Sequence, residues 1–192
     1  MRTSHLAVFL PAIVALGASA IEAPIPGYEV YVPEWEVQAT PDGPTVLLSG
    51  TVEEVVDQLQ ELNPEYKELL NTTIAQSAAL DKRTDFSGSK VVCGNFPKAN
   101  RDRLYAGVGY LRGVGGRPWN AAGPGTCGRV SCSWNSAIWW CNDAKSRKTL
   151  DSYSSIADGA TRALSVCKGN PLVSGQAFHK TNWNVIVRRA SC

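Results

Sequence analysis

Downstream of Arg83 the chain contains no glutamate and a single histidine, His179, and upstream of Arg83 it contains no cysteine. Each absence excludes something. General acid–base catalysis needs paired groups with separated pKa values, and the aspartates after Arg83 (Asp85, Asp102, Asp143, Asp151, Asp158) are dispersed. No G-x-S-x-G elbow, H-E-x-x-H pair or phosphate loop occurs. His179 stands beside Lys180 in an expected hairpin turn, where a lone imidazole reads as a surface residue. A small cationic nuclease using His179 with Arg188 is the best enzymatic alternative, and it lacks a carboxylate partner. The six cysteines pair off, leaving no reactive thiol and no thiolate–imidazole cluster, so neither a metal nor a cofactor is expected.

Long apolar runs are also missing. Residues 6–16 form a short one, interrupted by Pro11, whereas a membrane span needs about 18 or more apolar residues. With Arg2 before it and Ala18-Ser19-Ala20 after it, this run reads as a secretory signal over residues 1–20, cleaved after Ala20. The expected location is extracellular.

What is present divides at the dibasic pair Lys82-Arg83. Residues 1–83 hold four basic and twelve acidic residues, net −8, and residues 84–192 hold fifteen basic and five acidic, net +10. All six cysteines (Cys93, Cys127, Cys132, Cys141, Cys167, Cys192) follow the pair, which suits an oxidising compartment. The stretch "NTTIAQSAALDKRTDFSGSK" is small and polar, and is expected to be a mobile linker open to a processing protease of the Kex2 type. Arg188-Arg189 lies in an alternating apolar run, a folded strand that should escape cutting. Residues 21–83 therefore read as an acidic propeptide and 84–192 as a basic, cysteine-rich mature domain. The alternative is one two-part protein whose acidic half stays attached.

The propeptide has structure of its own. "YEVYVPEWEVQATPDGPTVLLSGT" reads as two strands around Pro41-Asp42-Gly43. A helix follows, with Thr51 as cap, Glu54 completing a capping box, and Val52, Val55, Val56, Leu59 and Leu62 as its apolar stripe. Asn63-Pro64 opens another turn of helix. This acidic ββα unit would keep its basic partner soluble or silent, and it carries the glycosylation sequon at Asn71.

In the mature part a short strand at "KVVCGNF" precedes a helix capped by Asn100, with Leu104, Val108 and Leu111 inward. "CGRVSCSW" and "AIWWCN" form strands around a tight connection at Asn135-Ser136, and a second helix buries Ile156, Ala160, Ala163, Leu164 and Cys167. "LVSGQAFH" and "WNVIVRR" are a last strand pair. The fold class is α+β: a split βαβ-type α/β sandwich, two helices on a four- to five-stranded antiparallel sheet, stapled by disulfides. Three bridges are expected, each contributing about 2–4 kcal/mol. Cys192 is expected to tie the last strand to an early element such as Cys93, and Cys167 to pin the second helix to the sheet.

Five tryptophans follow Arg83: Trp119, Trp134, Trp139, Trp140 and Trp183. In a strand Trp139 and Trp140 point to opposite faces, one into the core and one outward. An exposed tryptophan beside Arg129, Arg188 or Arg189 makes a stacking surface for sugar, nucleic acid or protein. Candidate binding residues are thus Trp139, Trp140, Trp183, Arg188 and Arg189, and the positive charge favours an anionic partner.

The run "GVGYLRGVGGRP…GPGTCGRVSCSWNSAIWWCND…SIADGA…GQAFHKTNWNVIVRRASC" resembles small secreted cysteine-rich proteins of filamentous fungi, the effector-like class. More distantly, "SSIADGATRALSVC" followed by "SGQ…WNVIV…SC" is similar to the last third of fungal killer-toxin-like domains. The cysteine spacing departs from those toxins, so their channel-blocking activity is not carried over. The resemblance implies fungal origin, Kex2-type cleavage at Lys82-Arg83, and an effector or toxin-like role on a host or competitor macromolecule. A cationic antimicrobial protein acting on membranes is the second reading.

Overall fold

A computed structural model of the chain describes residues 21–80 and 83–192. The expected signal segment with Ala20, and Lys82 of the dibasic pair, lie outside the described residues.

Pro33 splits the first expected strand, because a residue without an N–H cannot continue a ladder. The result is β1 (Glu29–Tyr31) and β2 (Glu34–Gln38), with β3 (Thr45–Ser49) pairing antiparallel to β2. The turn between β2 and β3 falls at Pro41-Asp42-Gly43, with Asp42 in the left-handed region at φ 59°. In α1 (Val52–Leu62) the capping box forms as read: Thr51 Oγ1 accepts from Glu54 N at 3.5 Å, and Glu54 Oε2 accepts from Thr51 N at 2.7 Å. Leu62 stays exposed while Val52, Val55, Val56 and Leu59 are buried.

The first half of the expected linker is helix. Its residues up to Leu80 belong to α2 (Tyr66–Leu80). Tyr66, Leu70 and Ile74, spaced four apart, make a narrow stripe; a Cβ on Gly113 would come within 2.6 Å of both Leu70 and Ile74. Close approach at that glycine holds a helix whose own apolar signal is too thin to announce it. Asn71 lies on its exposed side.

Beyond Arg83 the order is β4 (Val91–Cys93), β5 (Ala99–Asn100), α3 (Arg101–Gly113), β6 (Trp119–Asn120), β7 (Thr126–Ser133) and β8 (Ser136–Asn142). Then come β9 (Lys148–Thr149), α4 (Ser154–Val166), β10 (Leu172–Val173), β11 (Gly175–His179) and β12 (Trp183–Arg189). Asn100 caps α3, its Oδ1 accepting from Asp102 N and Arg103 N. The β7–β8 connection turns on Trp134 and Asn135 (φ 50° and 56°), one residue earlier than expected. Both positive angles suit a two-residue hairpin turn.

The class is α+β. Among the described residues the main sheet has six strands in the order β1-β7-β8-β12-β11-β4, antiparallel throughout except that β1 runs parallel to β7. Five of its strands follow Arg83; the sixth comes from the acidic segment. One face, bearing Val130, Ile138, Trp140, Val185 and Val187, packs with the helices in a core that also takes in Trp35 and Leu59 from before Arg83. The opposite face carries Trp139, Ile186 and the Cys127–Cys141 bridge, and Ile25, Tyr28, Val30 and Phe96 pack on it.

Three disulfides close, all after Arg83: Cys93–Cys167, Cys127–Cys141 and Cys132–Cys192. Cys167 at the end of α4 does pin that helix to the sheet. Cys192 does not reach Cys93. β12 runs antiparallel to β8, with Arg189 opposite Ser136, so its exit lies beside the β7–β8 turn and meets Cys132.

Candidate binding face

Alternation along β7, β8 and β12 places Arg129, Trp139 and Arg188 on the face away from the helices: Arg129 opposes Trp139, Trp139 opposes Ile186, and Ala137 opposes Arg188. These three side chains line a cavity of about 470 Å³, closed on its other side by residues of the acidic segment including Glu22, Pro24 and Pro26. Arg188 Nη1 donates to Pro24 O at 3.3 Å, and its guanidinium lies 5.5 Å from the Phe96 ring. Arg129 Nη1 donates to Ser191 O. Burial lowers the Arg188 pKa, and the Glu22 carboxylate opposes that shift.

Two donors here have no acceptor: Trp139 Nε1 and Arg129 Nε are buried without a hydrogen-bond partner. An unmet buried donor costs about 1–3 kcal/mol. A cavity lined by two guanidiniums suits an acceptor-rich, anionic group.

Three of the candidate residues are buried. Trp139 and Trp140 do face opposite ways, but both are buried, at 1% and 0% exposure, because residues 25–30 cover the second face. Trp183 is also buried, its Nε1 donating to Thr181 Oγ1 at 3.0 Å. Arg189 is exposed, and its N donates to Pro97 O rather than reaching the cavity.

The tryptophan that faces water is Trp134, 74% exposed, with Arg103 4.9 Å above its ring. The one-residue error in the turn hid it. A bulky residue at φ 50° is held at a cost of about 1–3 kcal/mol, and a tip of Asn or Gly would avoid it. Trp134→Gly should therefore leave the thermal midpoint unchanged or raise it, measured by circular dichroism. A fall of several degrees would show that Trp134 serves the fold.

His179 and Arg188 sit apart: His179 opposes Trp183, and Arg188 lies five residues further along β12, about 16 Å at roughly 3.3 Å per residue. The nuclease pair is not assembled. His179 stacks on Trp183 at 4.8 Å, and its Nδ1 lies 2.9 Å from Thr181 Oγ1. Burial, then Lys180 and Lys148, lower its pKa from 6.5, with Asp85 opposing. A depressed histidine pKa contributes stability that is present above 6.5 and is lost as pH falls through the folded value. Its ring proton resonances should titrate below 6.5; a midpoint above that value would show that a carboxylate governs the site.

Among the described residues no three metal-ligating side chains converge, and no helix is long and apolar enough to cross a membrane. No protein-family model, curated protein or solved structure matches the chain.

Proposed function

We propose that this is a secreted effector- or toxin-like protein that acts by binding an anionic group on a host or competitor macromolecule, and that residues 21–83 are a pro-segment removed by a Kex2-type cut after Arg83. The chain order β4-α3-β7-β8-α4-β11-β12 fits a split βαβ sandwich for the mature domain. Three disulfides, all on one side of the cut, fit an oxidising destination. Arg83 is exposed, and Arg188-Arg189 is held in β12.

The observation that carries the binding reading is the cavity of Trp139, Arg129 and Arg188, with its two guanidiniums on one face of the sheet. Residues 21–26 roof it, so the pro-segment occludes the face that the mature protein uses. Binding energy concentrates in a few aromatic and arginine anchors.

Activity on host tissue, as cell death or suppression of defence, tests this with the processed protein. Arg129→Glu and Arg188→Glu together should lower activity by about tenfold or more, the equivalent of roughly 1.4 kcal/mol, and His179→Ala should leave it intact. Circular dichroism on each variant separates loss of binding from loss of fold. Full activity of the double reversal, or abolition by His179→Ala in a folded protein, would refute the reading.

A further inference from the structure

The first residues after the cut are docked, not frayed. Phe86 is buried against Trp183 and His179, at ring distances of 5.3 and 5.1 Å, and a Cβ on Gly159 would come within 2.8 Å of it. That anchor holds Thr84 over α4. Thr84 N donates to Asp158 Oδ2 at 2.7 Å, and Thr84 Oγ1 donates to Ser155 Oγ at 2.9 Å. The other oxygen, Asp158 Oδ1, accepts from Arg112 Nη2 at 2.7 Å, in a pair whose side chains are only 14% and 8% exposed.

We infer that Asp158 is a built receptor for the α-ammonium group that cleavage creates on Thr84. The inference rests on the processing reading above. Hydrolysis of the Arg83–Thr84 bond consumes one water: its hydroxyl goes to the Arg83 carbonyl carbon, and the amide nitrogen becomes an amine. The proton of the new carboxyl group then passes to that amine, leaving Arg83 as a carboxylate and Thr84 as an ammonium. Before the cut a neutral N–H faces Asp158; afterwards a full positive charge stands in the same place. Charge-assisted hydrogen bonds are about twice as strong as neutral ones. Asp158 then bridges two cations, Arg112 from α3 and the new terminus. The other charged groups nearby are Arg162, one turn further along α4, and Asp85, paired with Lys180 at 3.7 Å. Processing therefore strengthens the tie between the start of the mature chain and both helices, compensating for the lost covalent connection.

The test uses the oxidised full chain cut with a dibasic-specific endoprotease, with intact mass confirming chains 21–83 and 84–192. The cut protein then meets an amine-acylating reagent near neutral pH, with the free peptide of residues 84–88 as reference. A free α-amino group titrates at about 7.7–8.0, and each unit of upward shift slows acylation about tenfold, so Thr84 should react at least about tenfold slower than the peptide. Asp158→Asn should restore the peptide rate. A second readout needs no variant. A raised α-amino pKa contributes stability that is present below about 8 and is lost as pH rises through the folded value, so the cut form should lose stability above pH 8 relative to the uncut form. A Thr84 amine that reacts at the peptide rate, with matching pH profiles for cut and uncut protein, overturns the inference. A mass showing no cut at Arg83 overturns the processing reading and this one with it.

Discussion

Produced by itself, the chain of residues 84–192 should fail to give a soluble, cooperatively melting protein, whereas the same chain made by cutting the folded precursor should stay folded. The reason lies in what residues 21–83 cover. Trp140 and Tyr153 are fully buried on the helical face, and Trp139 on the other. Trp35 stacks on Tyr153 at 3.7 Å, and Tyr31 packs against Trp140 and Trp119. Each large apolar side chain returned to water costs about 1.5–3 kcal/mol. Several together match the whole stability of an ordinary domain, about 5–15 kcal/mol. The acidic segment also meets backbone polarity: Glu53 Oε2 accepts from Cys132 N at 2.9 Å, and Glu53 Oε1 from Ser131 Oγ at 2.5 Å. Disulfide closure should therefore precede cleavage. The checks are refolding yield, dye binding to exposed apolar surface, and rescue by adding residues 21–83 during refolding. A cooperative melt of 84–192 alone, near the temperature of the full chain, would refute this and leave the segment as a mere passenger.

Trp35→Ala should be the most damaging single change on the acidic side. Its ring is wholly buried, lies nearly parallel to Tyr153 at 10°, and donates through Nε1 to Gly50 O at 2.9 Å. Truncating a buried tryptophan costs about 3–5 kcal/mol. The uncut protein should show that loss in chemical denaturation. After cutting, the segment should separate from the domain at a lower denaturant concentration than the wild-type segment, as read by size exclusion. Tyr153→Phe should be milder, about 1 kcal/mol, since it removes one hydrogen bond, to Glu34 O at 2.8 Å. High salt should not mimic Trp35→Ala. Among the described residues the ion pairs are Lys67–Asp57, Arg112–Asp158, Arg117–Asp151 and Lys180–Asp85, none of which joins the acidic segment to the basic domain. Opposite net charge accompanies the attachment, but apolar burial and backbone pairing make it. Dissociation of the cut wild-type pair at high ionic strength would reverse that ranking.

Local chemistry was legible in the sequence and long-range contact was not. Thr51 with Glu54 and Asn100 each act within a few residues of themselves, so their patterns predict the caps directly. The alternation of β8 and β12 likewise predicts that Trp139 and Trp140 diverge. It says nothing about what lies beyond Trp139. That depends on residues 25–30 returning more than a hundred positions earlier in the chain, through a three-residue pairing of β1 with β7. The expected partner of Cys192 failed for the same reason, since that residue is placed by strand order and not by spacing. The helix over residues 66–80 is expected from the sequence only in its first turns, and its continuation is not legible because glycine at position 113, on another helix, lets a sparse apolar stripe seat. The cavity between Arg129, Trp139 and Arg188 was half visible: the residue types were singled out, but their shared face follows from the register.

The parallel pairing of Glu29, Val30 and Tyr31 with Thr126, Cys127 and Gly128 has one further consequence. Removing those three residues would bare the rim of the sheet, and an unpaired rim is a template on which another extended chain can polymerise. A shift in register between Arg129 and Ser131 interrupts the β7–β8 ladder just beyond that point, and pairing resumes at Ser131 and Ile138. Such an irregularity breaks the run of hydrogen-bonding groups that a growing fibril needs. Only a strand of about the length of β1 finds continuous purchase there, so loss of the acidic segment exposes a short docking slot and not an open invitation to aggregate.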